Sequence, residues 1–198
     1  MVIHKAETKV AQYGQWDGYP SGQGSTIVEF LKSDENVKNL KSNLDRCRFI
    51  EDDGRDKEFM DSYNKNAPEW SNDPDNRTEE QKRWFDTFMT RNLGGDILSK
   101  IANSSVDEIL IRDSSSFAAD SLMNEWSYVI DFDKNVLEVY TGFNTSPLAD
   151  GERFKNLESL RDGKYYPITL KKSFPLDDLP TEEEFCNQCD PSEESEEE

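Results

Sequence analysis

Residues 10–32, VAQYGQWDGYPSGQGSTIVEFLK, set Gly14, Gly18, Gly22 and Gly24 among Tyr13, Gln15, Trp16, Asp17, Tyr19, Gln23, Ser25 and Thr26, directly before a helix-like run. Backbone N–H groups at a helix start have no internal partner, so the SGQGST passage can hold an anion. The glycine spacing is neither GxGxxG nor a Walker pattern, and no Lys precedes Ser25 or Thr26, so the side-chain charge that normally reaches a phosphate is missing. The structural alternative is a tight turn that the glycines permit beneath Tyr13, Trp16 and Tyr19, with Gln12, Gln15 and Gln23 bonding to loop backbone. Asp17 is the acid/base candidate, a lone carboxylate with no visible partner. Ligand or partner contact is assigned to Tyr13, Gln15, Trp16, Asp17, Tyr19, Gln23, Ser25 and Thr26.

Other chemistry has thinner support. His4 is the only histidine and sits in a strand-like start, so a His-based dyad would have to reach Cys47 across the fold. Cys186 and Cys189 form CNQC in an acidic stretch, which opposes the positive environment that activates a redox thiol, and a zinc site would have only Cys47 and His4 left to complete it. Ser114, Ser115 and Ser116 lack the GxSxG elbow. Asp45, Asp52, Asp53 and Asp56, like Asp131 and Asp133, are the spacing of hard-cation ligands, but 42 acidic residues produce close pairs by composition alone. No metal site and no cofactor is expected.

The formal charge of the 198-residue chain is -19, with 42 acidic against 23 basic residues. Eleven of the acidic residues fall in 177–198, which holds no Lys or Arg. Such a charge disfavours direct nucleic-acid binding and favours a partner with a basic surface. No window approaches the roughly 20 apolar residues that cross a bilayer, and MVIHKAETK has no apolar signal core. A cytoplasmic protein without membrane contact is the expectation.

The elements that must position the loop follow from periodicity. Residues 2–13 read as a hairpin or two strand fragments, and Thr26 with Glu29 has capping-box spacing for a first helix. Ser33 caps a second helix over 34–43. Residues 51–76 form a polar excursion with a short helix at 57–63 and Trp70 as its anchor. Thr78 and Gln81 open a helix over 78–95 with Phe85, Phe88 and Met89 on one side. Residues 106–112 fit strand or helix, whereas 126–132 alternate cleanly and pair through Asp133, Lys134 and Asn135 with VLEVYTGF. Residues 164–170 offer a last strand. The fold class is therefore α+β: an antiparallel sheet of the N-terminal strands plus the hairpin near 126–140, packed on several helices. One domain over 1–176 is followed by an acidic, disordered tail over 177–198.

AQYGQWDGYPSGQG, followed by STIVEFL and later by EWSYVIDFD with LEVYTG, resembles an uncharacterised protein family of phages, bacteria and some fungi. The likeness covers about residues 2–45 and 92–142. That family pattern often begins with a Cys-Thr-Arg or Gly-Thr-Arg segment just before the first strand, where this chain has Met1, Val2, Ile3 and His4. A first-residue nucleophile is thus not matched here, since Val2 has no nucleophilic atom. The resemblance implies a viral or mobile-element setting, in which the location is the host cytoplasm.

The reading that joins these observations is an acidic binding protein, a phage-type inhibitor occupying the basic nucleic-acid-binding groove of a host protein. The alternative is a small-ligand enzyme or sensor that uses residues 12–26 for a phosphate-containing ligand, with Arg46, Arg48 or Arg112 converging on it. A homodimeric scaffold is the third.

Overall fold

The computed structural model describes residues 1–51, 54–70, 76–89, 92–159 and 163–190. Strands β1 (Val2–His4) and β2 (Glu7–Val10) form a hairpin whose turn residues Lys5 and Ala6 have φ of 56° and 60°. The Asp133 carboxylate makes that turn tenable, accepting the Lys5 and Ala6 N–H groups at 2.9 and 2.7 Å. Strands β6 (Trp126–Asp131), β7 (Val136–Thr141) and β8 (Thr169–Pro175) complete a sheet of order β2-β1-β6-β7-β8. The fold is α+β, as the alternation at 126–132 indicates. The sheet is mixed in one place, since β1 runs parallel to β6, with Val2 beside Ile130.

Helix α1 (Ser25–Leu31) buries Ile27, Val28, Phe30 and Leu31. Helix α2 (Asp34–Asn43) starts at Ser33, whose hydroxyl accepts the Asn36 N–H. Strand β3 (Cys47–Phe49) precedes α3 (Gly54–Trp70), a longer helix than the one expected at 57–63. Asp52, Asp53, residues 71–75 and the Trp70 side chain lie outside the described residues.

The Thr78 and Gln81 capping box opens α4 (Glu79–Thr87), but the helix expected to reach residue 95 stops at Thr87. Phe88 and Met89 instead form strand β4 (Phe88–Met89), buried beside Leu110 and Ile111 of β5 (Ile109–Ile111). Burial in a sheet outweighs the helical spacing of these residues. With β3 on its other side, β5 centres a second, all-parallel sheet, β3-β5-β4. Helix α5 (Asp96–Ala102) follows.

The tail expected to be disordered from Asp177 is ordered over its first half. Thr181 and Glu184 form a capping box at the start of α6 (Glu182–Cys189), and Phe185 and Cys189 are completely buried. Apolar burial and a double cap together offset the chain entropy that the acidic composition alone leaves unopposed. Residues 191–198 lie outside the described residues.

Two arginines tie the sheets to their surroundings. Arg153 donates to Glu138 and Asp131 at 2.7 Å each, and the Tyr140 hydroxyl also donates to Glu138 at 2.9 Å. Arg48 grips Asp56 through two 2.6 Å bonds and also meets Glu108 at 2.8 Å. Burial acts to raise the Asp131 pKa, but Arg153 and the Lys134 and Asp133 N–H groups outweigh it and hold the carboxyl below its usual range. A depressed carboxyl pKa stabilises the fold above its unfolded value, and that contribution is lost as pH falls through the folded one.

Asp131→Asn is therefore expected to cost about 3 kcal/mol at pH 7, because it leaves a half-buried guanidinium with one partner fewer. The gap to the native protein narrows as pH falls below about 4, where the unfolded chain's carboxyl takes up a proton, and closes only once pH has passed the lower value of the folded carboxyl. Urea denaturation across that range checks both statements.

Candidate functional site

The glycine-rich segment is a loop that folds back on itself before entering α1. Gln23 N–H donates to the Asp17 carbonyl at 2.8 Å, Gly22 N–H to the Tyr19 carbonyl at 3.0 Å, and residues Pro20–Gly24 form a wide helical turn. Asp17 takes φ of 55°, a left-handed geometry that Asp and Asn accept more readily than other side chains. A Cβ at Gly22 would lie 2.3 Å from the Asp17 carbonyl oxygen, so no other residue fits there without moving backbone. The capping box expected from Thr26 and Glu29 does not form. Thr26 is already inside α1, its hydroxyl donating to the Gly22 carbonyl at 3.3 Å, and Ser25 donates to the Pro20 carbonyl at 3.1 Å.

Three contacts suspend this loop over the body of the protein. The Tyr128 hydroxyl, rising from β6, donates to the Gly18 carbonyl at 2.9 Å. Gln23 accepts the Gly95 N–H at 2.5 Å, and Tyr13 packs edge-on against Phe117 at 5.1 Å between ring centres. Burial, with smaller contributions from Cys189, Cys186 and Asp190, pushes the Tyr128 phenol far above its ordinary pKa, so it remains a donor.

Beneath and beside the loop lies a cavity of about 450 Å³. Tyr13, Gln15, Trp16, Asp17, Tyr19 and Gln23 line it, so six of the eight residues assigned from sequence come together. Ser25 and Thr26 do not line it. The other wall comes from Gly94 and Gly95 and from 114–128, including Ser115, Phe117, Asn124, Glu125, Trp126 and Tyr128. These were not legible as site residues: Gly94 and Gly95 read as a helix stop, and Trp126 and Tyr128 as strand alternation. Only the aromatic density of 126–128 was a signal.

Among the described residues, the cavity lining holds no Lys, Arg or His. Arg46 and Arg48, expected to converge on a phosphate, are engaged elsewhere: Arg46 donates to the Val106 and Ser104 carbonyls, and Arg48 to Asp56 and Glu108. Arg112 is exposed and does not line the cavity. Apart from the tyrosines, the ionisable side chains of the lining among the described residues are Asp17 and Glu125. The Met1 amino group donates to the Tyr128 carbonyl at 2.8 Å. Burial, helped by Arg153, lowers its pKa to about 5, so it adds no positive charge at neutral pH.

Asp17 accepts the Tyr19 hydroxyl at 2.9 Å and thereby raises the Tyr19 pKa. Its carboxylate has no histidine, cysteine or lysine beside it in the lining to complete an acid/base pair. His4 stands edge-on to Phe132 instead, at 6.0 Å. Burial pushes the Cys47 thiol up to about 12 and the Cys189 thiol up to about 11, which keeps both protonated. Among the described residues no group of three or more His, Cys, Asp or Glu could hold a metal ion. Asp45, Asp56 and Asp131 are bound instead to Lys5, Arg48 and Arg153, respectively. Among the described residues no helix is long and apolar enough to cross a membrane.

Comparison with family models, curated proteins and solved structures finds no match to this chain.

Gly22→Ala is expected to destabilise the protein by about 2 kcal/mol, since the added carbon meets backbone and not a movable side chain. Tyr128→Phe, which removes one bond to the loop and keeps the ring, is expected to cost about 1 kcal/mol. Chemical denaturation of both variants checks the order; equal stability of Gly22→Ala and the native protein contradicts the described loop closure.

Proposed function

We propose that the protein binds a small organic cation in the cavity under the 12–24 loop. The observation that carries this reading is the composition of the lining: carboxylates at Asp17 and Glu125, the rings of Tyr13, Trp16, Tyr19 and Trp126, and, among the described residues, no cationic side chain. Carboxylates attract a cation directly, and aromatic faces attract it through their negative quadrupole, most strongly for Trp. Trp16 is 70% exposed and Tyr19 46% exposed, so neither ring is occupied in packing the core. A volume of about 450 Å³ suits a ligand of metabolite size. The phosphate-containing ligand expected from the glycine pattern has no charge partner here, which is why the small-ligand reading changes its ligand class.

A second reading, occupation of a basic groove in a protein partner, rests on one observation. The acidic run at 177–190 is presented on ordered structure, with Glu182 and Glu183 exposed on α6 and Phe185 anchoring that helix in the core. Elsewhere many carboxylates are matched to cations, as at Asp45, Asp56, Asp131 and Glu138, which weakens a concentrated negative face. Charge reversal at Glu182 and Glu183 would abolish salt-sensitive partner association under this reading and leave the cavity unaffected.

Calorimetric titration with agmatine, spermidine and tetramethylammonium, each beside an uncharged analogue of similar size, tests the cation reading. At least one cation is expected to bind, and Asp17→Asn to weaken it about tenfold by removing the charge while keeping a residue that tolerates the left-handed backbone. Equal binding of the uncharged analogues, or binding by none of the three cations, refutes it.

A further inference from the structure

A second cavity, of about 420 Å³, is separate in its lining from the first and opposite in charge. Arg77, Lys82 and Lys100 line it together with the rings of Tyr63, Phe85 and Phe88. In a chain of net charge -19, three cations sharing one concavity run against the overall composition. Among the described residues, Asp86 is the one carboxylate in the lining.

The rings form a set surface. Tyr63 stacks on Trp84 at 4.8 Å with 13° between planes, and meets Phe88 edge-on at 4.6 Å. The Arg77 guanidinium lies 3.9 Å over the Phe85 ring. Burial raises the Tyr63 pKa, with Arg77 acting in the opposite sense, which places both groups in the same partly desolvated wall. Lys82 meets Glu79 at 2.8 Å in an exposed pair, a weak tie in water that an incoming anion can replace. Lys100 stands in the last turn of α5 and is exposed.

We propose that this cavity binds a planar aromatic anion of mononucleotide size, with its ring system against the Tyr63, Phe85 and Phe88 surface and its phosphate between Arg77, Lys82 and Lys100. Base rings stack on aromatic faces without sequence preference, and a phosphate gathers charge-assisted bonds from Arg and Lys. Asp86 opposes the phosphate and sets a limit on affinity. The inference is independent of the cation cavity, whose lining shares none of these residues.

The test is calorimetry on the full chain in low salt with AMP, GMP, CMP and UMP, with the four nucleosides and inorganic phosphate in parallel. At least one monophosphate is expected to bind about tenfold more tightly than its nucleoside and than inorganic phosphate, because both halves of the site contribute. Lys100→Ala is expected to weaken that binding about tenfold, and Asp86→Asn to strengthen it about threefold through loss of a like charge. A gain of affinity cannot come from misfolding. The proposal is overturned if no monophosphate exceeds inorganic phosphate, if nucleoside and nucleotide bind alike, or if nucleotide binding is indifferent to both substitutions.

Discussion

Residue 22 has room for a hydrogen and nothing larger, and the loop geometry depends on that contact. Because the backbone there comes against the Asp17 carbonyl, Gln23 N–H reaches the same oxygen at 2.8 Å and closes residues 17–23 into a turn. The turn delivers the chain into α1 at Ser25 and leaves Trp16 and Tyr19 outside the core. The loop has no strand partner, so its backbone groups need other donors, and the Tyr128 hydroxyl and the Gly94 N–H supply them to the Gly18 and Tyr13 carbonyls. A cavity remains below the loop because these ties hold it at a few points along its length.

The same economy governs the charges. Several part-buried cations are held by the protein itself: Arg153 and Arg48 are enclosed by carboxylates that they stabilise in turn, and Arg46 is held by backbone carbonyls. Pairs of this kind fix geometry more than they add stability, because desolvation opposes the Coulombic gain. Exposed carboxylates include Asp17 and Glu125 at the mouth of the loop cavity and Glu182 and Glu183 on α6. Arg77, Lys82 and Lys100 lie around a different concavity. A net charge of -19 therefore describes the whole chain poorly as a field: its sign changes from one concave site to the other.

Local signals made some elements readable from the residues alone. Ser33 and Thr78 mark helix starts by a chemistry that involves only their own turn, and the alternation at 126–131 needs only a sheet with one buried face. What escaped was set by partners distant in sequence. Phe88 and Met89 fit a helix stripe as well as a strand, and only Leu110 and Ile111 decide the matter. Strands β3, β4 and β5 are two or three residues long, too short for any alternation to register, and β1 takes its parallel place beside β6 across more than a hundred residues. In α6 the acidic composition pointed to disorder, while the buried Phe185 and Cys189 and the Thr181 cap decided for order. The cavity shows the same division: the loop side was visible as a cluster of rings and glycines, whereas Asn124 and Glu125 carry no local mark of facing it.

The two sides of the loop cavity differ in what a ligand would have to organise. Tyr128 is buried and bonded to Gly18, and Gln23 is bonded to Gly95, so this part of the wall already has its geometry. Trp16 is 70% exposed and would lose rotamer freedom only when something lies against it, at a cost of about 0.5–1.5 kcal/mol, whereas Tyr19 is already tied to Asp17 through its hydroxyl. Discrimination by shape thus belongs to the fixed wall, where a misfit displaces buried groups. Attraction by charge and quadrupole would belong to the mouth, where Asp17 is held in a left-handed backbone geometry beside the exposed Trp16 and accepts the Tyr19 hydroxyl. For the ligand proposed above, that split would let Trp16 adapt to different lengths while the closed glycine turn keeps the Asp17 carboxylate in one place.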